Sequence, residues 1–167
     1  RLAGAGSALL AFAEAHGIPV ATAWTHDLIA SDHPLFAGRP GTIGTRAGNF
    51  CAQNADCVIV IGSRLNIRQV SYNWDSFARD AFIAQIDVDP AELAKPFVQP
   101  HLRLACDARL FIDALTAACA DGLPDVRPWS AWCRDIRARY PLGGAPTDSP
   151  QIHPYALVER IFTQLRD

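Results

Sequence analysis

Apolar positions recur along this chain with two periods, and their alternation predicts the architecture. Leu9, Leu10, Phe12 and Ala13 have helical spacing in an Ala-rich stretch that ends at His16-Gly17, a glycine suited to the left-handed position after a helix. Ile18-Pro19-Val20-Ala21-Thr22-Ala23 follows as a short run with its proline near the start, where a missing ladder donor is tolerated, and it predicts a strand. Residues 24 to 44 are rich in Gly, Pro, Asp and His and predict a loop. Thr45 is then placed to cap a helix from Arg46 to Asn54.

The run Cys57-Val58-Ile59-Val60-Ile61 is apolar at every position, the pattern of a parallel strand buried on both faces. Phe82 to Val88 predicts a further strand, and Leu102-Arg103-Leu104-Ala105 one at an edge. Asp107 is positioned to cap a helix with Leu110, Phe111, Ala114, Leu115 and Ala118 on one face. After Cys119 the character changes. Asp121 to Pro128 reads as a linker, Trp129 to Tyr140 as a short amphipathic helix, and Pro141 to Pro150 as a second linker. A last helix starts at Pro154, with Val158, Ile161, Phe162 and Leu165 at helical spacing. Helices alternating with short, doubly buried strands define an α/β class with βαβ units and a three-layer, Rossmann-like parallel sheet.

Composition narrows the function. At 167 residues and 50% apolar, the chain has material for one sizeable core. Fifteen basic against seventeen acidic residues leave a formal charge of −2, with no Lys/Arg run to follow a phosphate backbone, so nucleic acid is not an expected partner. The longest apolar run is far too short to span a bilayer and no signal peptide opens the chain, so a soluble protein without a membrane partner is expected. Five cysteines, at 51, 57, 106, 119 and 133, include no C-x-x-C. They read as reduced thiols of a cytoplasmic protein rather than as a disulfide framework or a zinc site.

Candidate chemistry lies at strand ends, because open parallel sheets bind ligands beyond the carboxyl ends of their strands. Gly62-Ser63-Arg64-Leu65-Asn66-Ile67-Arg68 follows one strand and Asp87-Val88-Asp89-Pro90 another, while Gly38-Arg39-Pro40-Gly41-Thr42-Ile43-Gly44-Thr45 leads into a helix N-terminus. Glycines there allow close approach, and free N–H groups with the helix dipole favour an anion such as a pyrophosphate. A purely structural loop accounts for the same spacing. Arg64 and Arg68 are equally readable as solvated or ion-paired, and Asp87 and Asp89 as an Asx turn and a helix cap. Trp24, Tyr72, Trp74 and Phe77 read as packing residues rather than as base-stacking ones. The five histidines lack ligand spacing and no catalytic residue is assigned.

Taken in order, His16-Gly17-Ile18-Pro19-Val20, Asp32-His33-Pro34-Leu35 with Gly41-x-x-Gly44-Thr45, Ala55 to Arg64, and Ile86-Asp87-Val88-Asp89-Pro90-Ala91-Glu92 resemble the central domain of thiamine diphosphate-dependent enzymes of the acetolactate synthase-like family. The resemblance runs from about residue 3 to 120. It implies a Rossmann-like nucleotide-binding-type domain over 1–120, a linker with a short helix over 121–150, and over 151–167 the first helix of the following diphosphate-binding domain. It also implies that catalysis lies elsewhere: a pyrimidine domain supplies a glutamate, and a diphosphate domain binds thiamine diphosphate and Mg²⁺ through a Gly-Asp-Gly that this chain lacks. These two domains are the implied partners, in a homo-oligomeric parent.

Acetolactate synthase holds FAD in this domain. The matching positions are Thr22, Ala23 and Trp24, the loop Pro40, Gly41, Thr42 and Ile43, then Gly62, Ser63, Arg64, Asn66 and Arg68, and finally Asp87, Val88 and Asp107. Flavin-binding members carry His where this chain has Ile43, and Phe-Asp-Asp-Arg where it has Leu65-Asn66-Ile67-Arg68. Other members bind ADP or nothing, so FAD, ADP and an empty domain all stay open. An independent nucleotide-binding module of the electron-transfer flavoprotein type is the competing reading; a sirtuin-type deacetylase would need a zinc-binding cysteine set that the spacing denies. The family domain also begins with a strand and glycine-rich turn ahead of its first helix, whereas this chain begins at that helix. The expected consequence is a vacant position between Ile18–Ala23 and Cys57–Ile61, filled by another segment, by a second copy, or by the strands closing up.

Overall fold

The computed structural model describes residues 2–23, 27–142 and 151–165. The element order is α1 (Gly6–His16), β1 (Val20–Ala21), β2 (Phe36–Gly38), α2 (Arg46–Asn54), β3 (Cys57–Ile61), α3 (Ile67–Val70), a 3-10 turn (Trp74–Ser76), β4 (Phe82–Asp87), α4 (Pro90–Leu93), β5 (Leu102–Ala105), α5 (Ala108–Ala118), α6 (Arg127–Arg139) and α7 (Pro154–Gln164). All strand pairs are parallel, so the α/β, Rossmann-like class follows as expected.

Caps explain the helix boundaries. Gly17 closes α1 in the left-handed region, at φ 68°. The Thr45 hydroxyl accepts from the Gly48 N–H at the start of α2, and Asn66 and Gln69 form a reciprocal capping box on α3. The core is assembled around β3 and β4, where Val60 and Ile83 pack with Leu65, Val70, Phe77, Ala78, Ala81 and Val98. Ile86 of β4 and Ile112 of α5 are the largest fully buried side chains.

The sheet is broken. β1 pairs only with β2, and β3–β4–β5 form a second sheet, so no described segment bridges β1 and β3. The position expected between them is filled by no described segment, and the strands have not closed up. α1 packs on α5, while α2 packs on β2 and α6.

Four expectations are corrected. The run 57–61 is not buried on both faces: Cys57 and Ile59, which share one face, are exposed, Ile59 at 42%, while Val60 on the other face is buried. The predicted strand 18–23 shrinks to two residues for lack of a second neighbour. The predicted loop 24–44 contains β2, a fully buried three-residue strand too short to register as a period. On α5 the face turned inward carries Ile112, with Phe111 and Leu115 part-buried, and leaves Leu110, Ala114 and Ala118 exposed.

Residues 121–150 were expected to be a linker with a short helix. The helix, α6, lies against α2 and β2, with Cys133 in a small core beside Ala37 and Cys51 and under the stacked rings of Trp129 and Trp132. Ser130 donates to the Gly17 carbonyl, and the Arg137 guanidinium to the carbonyls of His33 at 2.7 Å and Phe36 at 2.5 Å. On α7 the apolar side chains of Tyr155, Ile161 and Phe162 are exposed, as is Leu165 just after it.

Candidate functional site

Parallel strands put their carboxyl ends on one edge, and the candidate residues collect there. Thr22 and Ala23 follow β1, the glycine-rich loop follows β2, Gly62 to Arg68 follows β3, Asp87 and Val88 end β4, and Asp107 follows β5. Trp24 lies outside the described residues.

The loop and the segment after β3 meet directly. The Thr42 N–H donates to the Arg68 carbonyl at 2.8 Å, and the Thr42 hydroxyl to the same oxygen at 3.3 Å. Gly41 is held by both ends of the Asn49 amide, its N–H donating to Oδ1 at 2.7 Å and its carbonyl accepting from Nδ2 at 3.1 Å. The Gly44 N–H donates to the Gly41 carbonyl and the Thr45 N–H to the Arg39 carbonyl. These N–H groups are therefore spent within the protein. The glycines serve the same contacts: a Cβ on Gly41 would stand 2.2 Å from the Arg68 carbonyl oxygen, and one on Gly44 2.1 Å from that of Arg39. Close backbone approach is real here, but its object is the backbone of α3 and of the loop itself.

The other positions also have internal partners. The Ser63 hydroxyl accepts from Gln69 at 2.8 Å, and Asn66 caps α3. Arg64 sits 3.8 Å from the Glu92 carboxylate. Its carbonyl accepts a long 3.5 Å bond from Lys95. Gly62 has φ 59° at no cost, whereas Arg64 and Leu65, at 63° and 43°, store strain that Leu65 burial and the α3 capping box offset. Asp87 accepts from the Asp89 N–H, an Asx turn, and Asp89 caps α4. Val88 and Ile43 are exposed.

Asp107 accepts from the N–H groups of Arg109 and Leu110 and so caps α5. Asp107→Ala should cost about 1 kcal/mol, as for other N-caps. Urea unfolding of the ligand-free chain checks this, since a residue serving only a ligand would leave that midpoint unmoved.

Between the loop and α3, a cavity of about 70 Å³ is lined by Ala23, Arg39, Pro40, Ile43, Gly44, Arg68 and Gln69. Cofactor pockets run from roughly 300 to 1,000 Å³, so this cavity by itself is too small to enclose a dinucleotide. Two buried polar atoms close by, Thr22 Oγ1 and Arg39 Nε, have no hydrogen-bond partner. Sequence reading missed Arg39, Asn49 and Gln69; the one available signal was an Asn in the first turn of the helix that follows a glycine-rich loop. Among the described residues there is no group of three His, Cys, Asp or Glu able to hold a metal, and no helix long and apolar enough to cross a membrane.

Parallel strands with glycine-rich and strand-end loops beyond their carboxyl ends make this a Rossmann-like α/β domain. Residues 1–115 match the family model of the thiamine pyrophosphate enzyme central domain. The chain belongs to that family. Its relatives include the acetolactate synthase large subunit of Corynebacterium glutamicum, 34% identical over 161 residues, which cover 94% of this chain and 25% of that protein. The probable acetolactate synthase large subunit of Methanococcus aeolicus is 38% identical over 112 residues, 66% of this chain and 18% of that protein. Acetolactate synthase 1, chloroplastic, of Zea mays is 31% identical over 161 residues, 93% and 25% respectively. The chain thus spans about a quarter of the length of the curated relatives that it matches over nearly its whole extent.

Proposed function

We propose that this chain is the structural central domain of a thiamine diphosphate-dependent 2-keto acid decarboxylase or carboligase, and that it performs no catalysis by itself. The carrying observation is the internal use of the loop: the N–H groups of Gly41, Thr42, Gly44 and Thr45 are bonded to protein acceptors, and the glycines are filled by backbone. A domain built this way joins and spaces its neighbours. In this reading thiamine diphosphate and Mg²⁺ sit in the pyrimidine and diphosphate domains of a cytoplasmic, homo-oligomeric parent. Bound thiamine diphosphate supplies the electron sink for a carbanion, and the residues of this chain take no part in that chemistry. The exposed apolar residues Tyr72, Ile67 and Phe97 support burial against such neighbours.

One observation favours a second reading, an independent FAD- or ADP-binding module. The unpartnered Thr22 Oγ1 and Arg39 Nε are the kind of atoms a polar ligand satisfies. Titration of the chain with FAD and with ADP, followed by calorimetry and flavin fluorescence, separates the two. The structural role predicts no saturable binding of either; micromolar binding would overturn it and establish the module.

A further inference from the structure

Two of the five cysteines, distant in sequence, are neighbours in space. Cys51 lies on α2 and Cys133 on α6. Both are buried, in one core cluster with Ala37 and against the part-buried Trp129 and Trp132. They meet where α6 packs on α2. One turn beyond Cys133, the Arg137 guanidinium reaches past this cluster to the carbonyls of His33 and Phe36, and its charge is felt at Cys51. We propose that Cys51 and Cys133 form a redox-active dithiol, oxidised to a disulfide that fastens α6 covalently to α2.

The two thiols are not equivalent. Interaction with the Cys133 thiol, with the Arg137 charge adding to it, holds the Cys51 thiol below its ordinary range against the opposing effect of burial. Interaction with Cys51, burial and the charge there push Cys133 up. A negative charge on one thiol of a neighbouring pair disfavours a second, so one cysteine attacks while the other stays protonated to resolve. Cys57, by contrast, is pushed up by burial and then by Asp56, which makes it the poorer nucleophile although it is exposed.

Burial limits the oxidant to a small one, and hydrogen peroxide is the class assigned. The Cys51 thiolate attacks one peroxide oxygen; an S–O bond forms, the O–O bond breaks, and hydroxide leaves to take up a proton as water. The Cys133 sulfur then attacks the sulfenic sulfur of Cys51, the S–S bond forms, the S–O bond breaks, and a second water leaves with the Cys133 proton. Two thiols lose two electrons, and one peroxide becomes two waters.

The test treats the whole chain with hydrogen peroxide until free glutathione in the same tube is fully oxidised. Remaining thiols are then alkylated under denaturing conditions, and the digest is mapped without reductant. The expected product is an intramolecular link between the Cys51 and Cys133 peptides, reversed by dithiothreitol and accompanied by a rise in Tm on the order of 10 °C. Cys133→Ala should instead leave Cys51 as a sulfenic acid that dimedone traps. Full alkylation of both cysteines in the treated wild-type chain would overturn the proposal, as would a link that forms only between separate molecules. The wild-type measurement decides the matter even if the variant fails to fold.

Discussion

Gly41→Ala is expected to cost about 3 kcal/mol or more of stability, far beyond the value of the methyl group itself. Gly41 has φ +129°, a region that L side chains rarely adopt, and its Cβ would stand 2.2 Å from the Arg68 carbonyl oxygen and 3.1 Å from Gln69 Cα. The strained dihedral accounts for roughly 1–3 kcal/mol and the overlap for a further ~1–3 kcal/mol. The neighbours cannot yield cheaply, because they are backbone of α3, which is fixed by its capping box. The contact is also a seam: through Thr42 and Arg68 the loop after β2 is bonded to the segment after β3, across the break between the two sheets. Separating the loop from α3 should therefore loosen the β1–β2 pair as well. Urea unfolding should give a lower midpoint with a changed slope, since partial opening alters the surface exposed. Gly122→Ala is the control, because its φ of +102° is equally left-handed but nothing lies within 4 Å of the added Cβ. Equal losses for the two would mean that dihedral strain alone matters, and the seam would lose its support.

The glycine spacing that suggested a ligand loop was legible, but its object was not. A glycine records that something approaches closely; whether that is a phosphate or the carbonyl of Arg68 depends on where α3 folds, and α3 is four residues long. So short a helix has no period to read. The strand pattern of β3 and β4 was visible because it rests on continuous apolar runs, whereas β2, with the sequence Phe36-Ala37-Gly38, is too brief to stand out. The exposure of Ile59 was equally hidden, because an apolar run does not show whether a layer covers each face of the strand. Local chemistry fared better than tertiary contact. Thr45, Asp89 and Asp107 occupy the cap positions that their sequence context predicts, since a cap needs only the two or three residues that follow it. The Cys51–Cys133 pair is the opposite case: no spacing rule connects them, and only the packing of α6 on α2 brings them together.

That packing makes the second large prediction. Arg137→Met should destabilise the chain by about 2–4 kcal/mol, although the position lies in the short helix of a segment that reads as linker. Met keeps most of the length and apolar stem of Arg, so the loss is of its donors. Arg137 donates to the carbonyls of His33 and Phe36, and a hydrogen bond from a charged group contributes about 1.5–3 kcal/mol, more when its loss strands a part-buried acceptor. Those carbonyls lie just before β2 and at its first residue, and among the described residues β2 is the only ladder partner of β1, so α6 holds a pair of strands that no other described strand joins. Tyr140 adds to the grip by packing on Phe50 and under the Arg46 guanidinium. Removing Arg137 should speed amide exchange at Val20 and Thr22, whose N–H groups bond to Leu35 and Gly38, and should alter the fluorescence of the stacked Trp129–Trp132 pair. Exchange at Ile86, inside the other sheet, should change far less, since the seam rather than a shared ladder connects the halves. If residues 121–150 act only as a linker, Arg137→Met should stay within about 0.5 kcal/mol, the usual range for a surface substitution, and the β1–β2 amides should exchange as before. A loss of the expected size would instead make α6 part of the central domain, supporting β1 and β2 from the side that the broken sheet leaves to it.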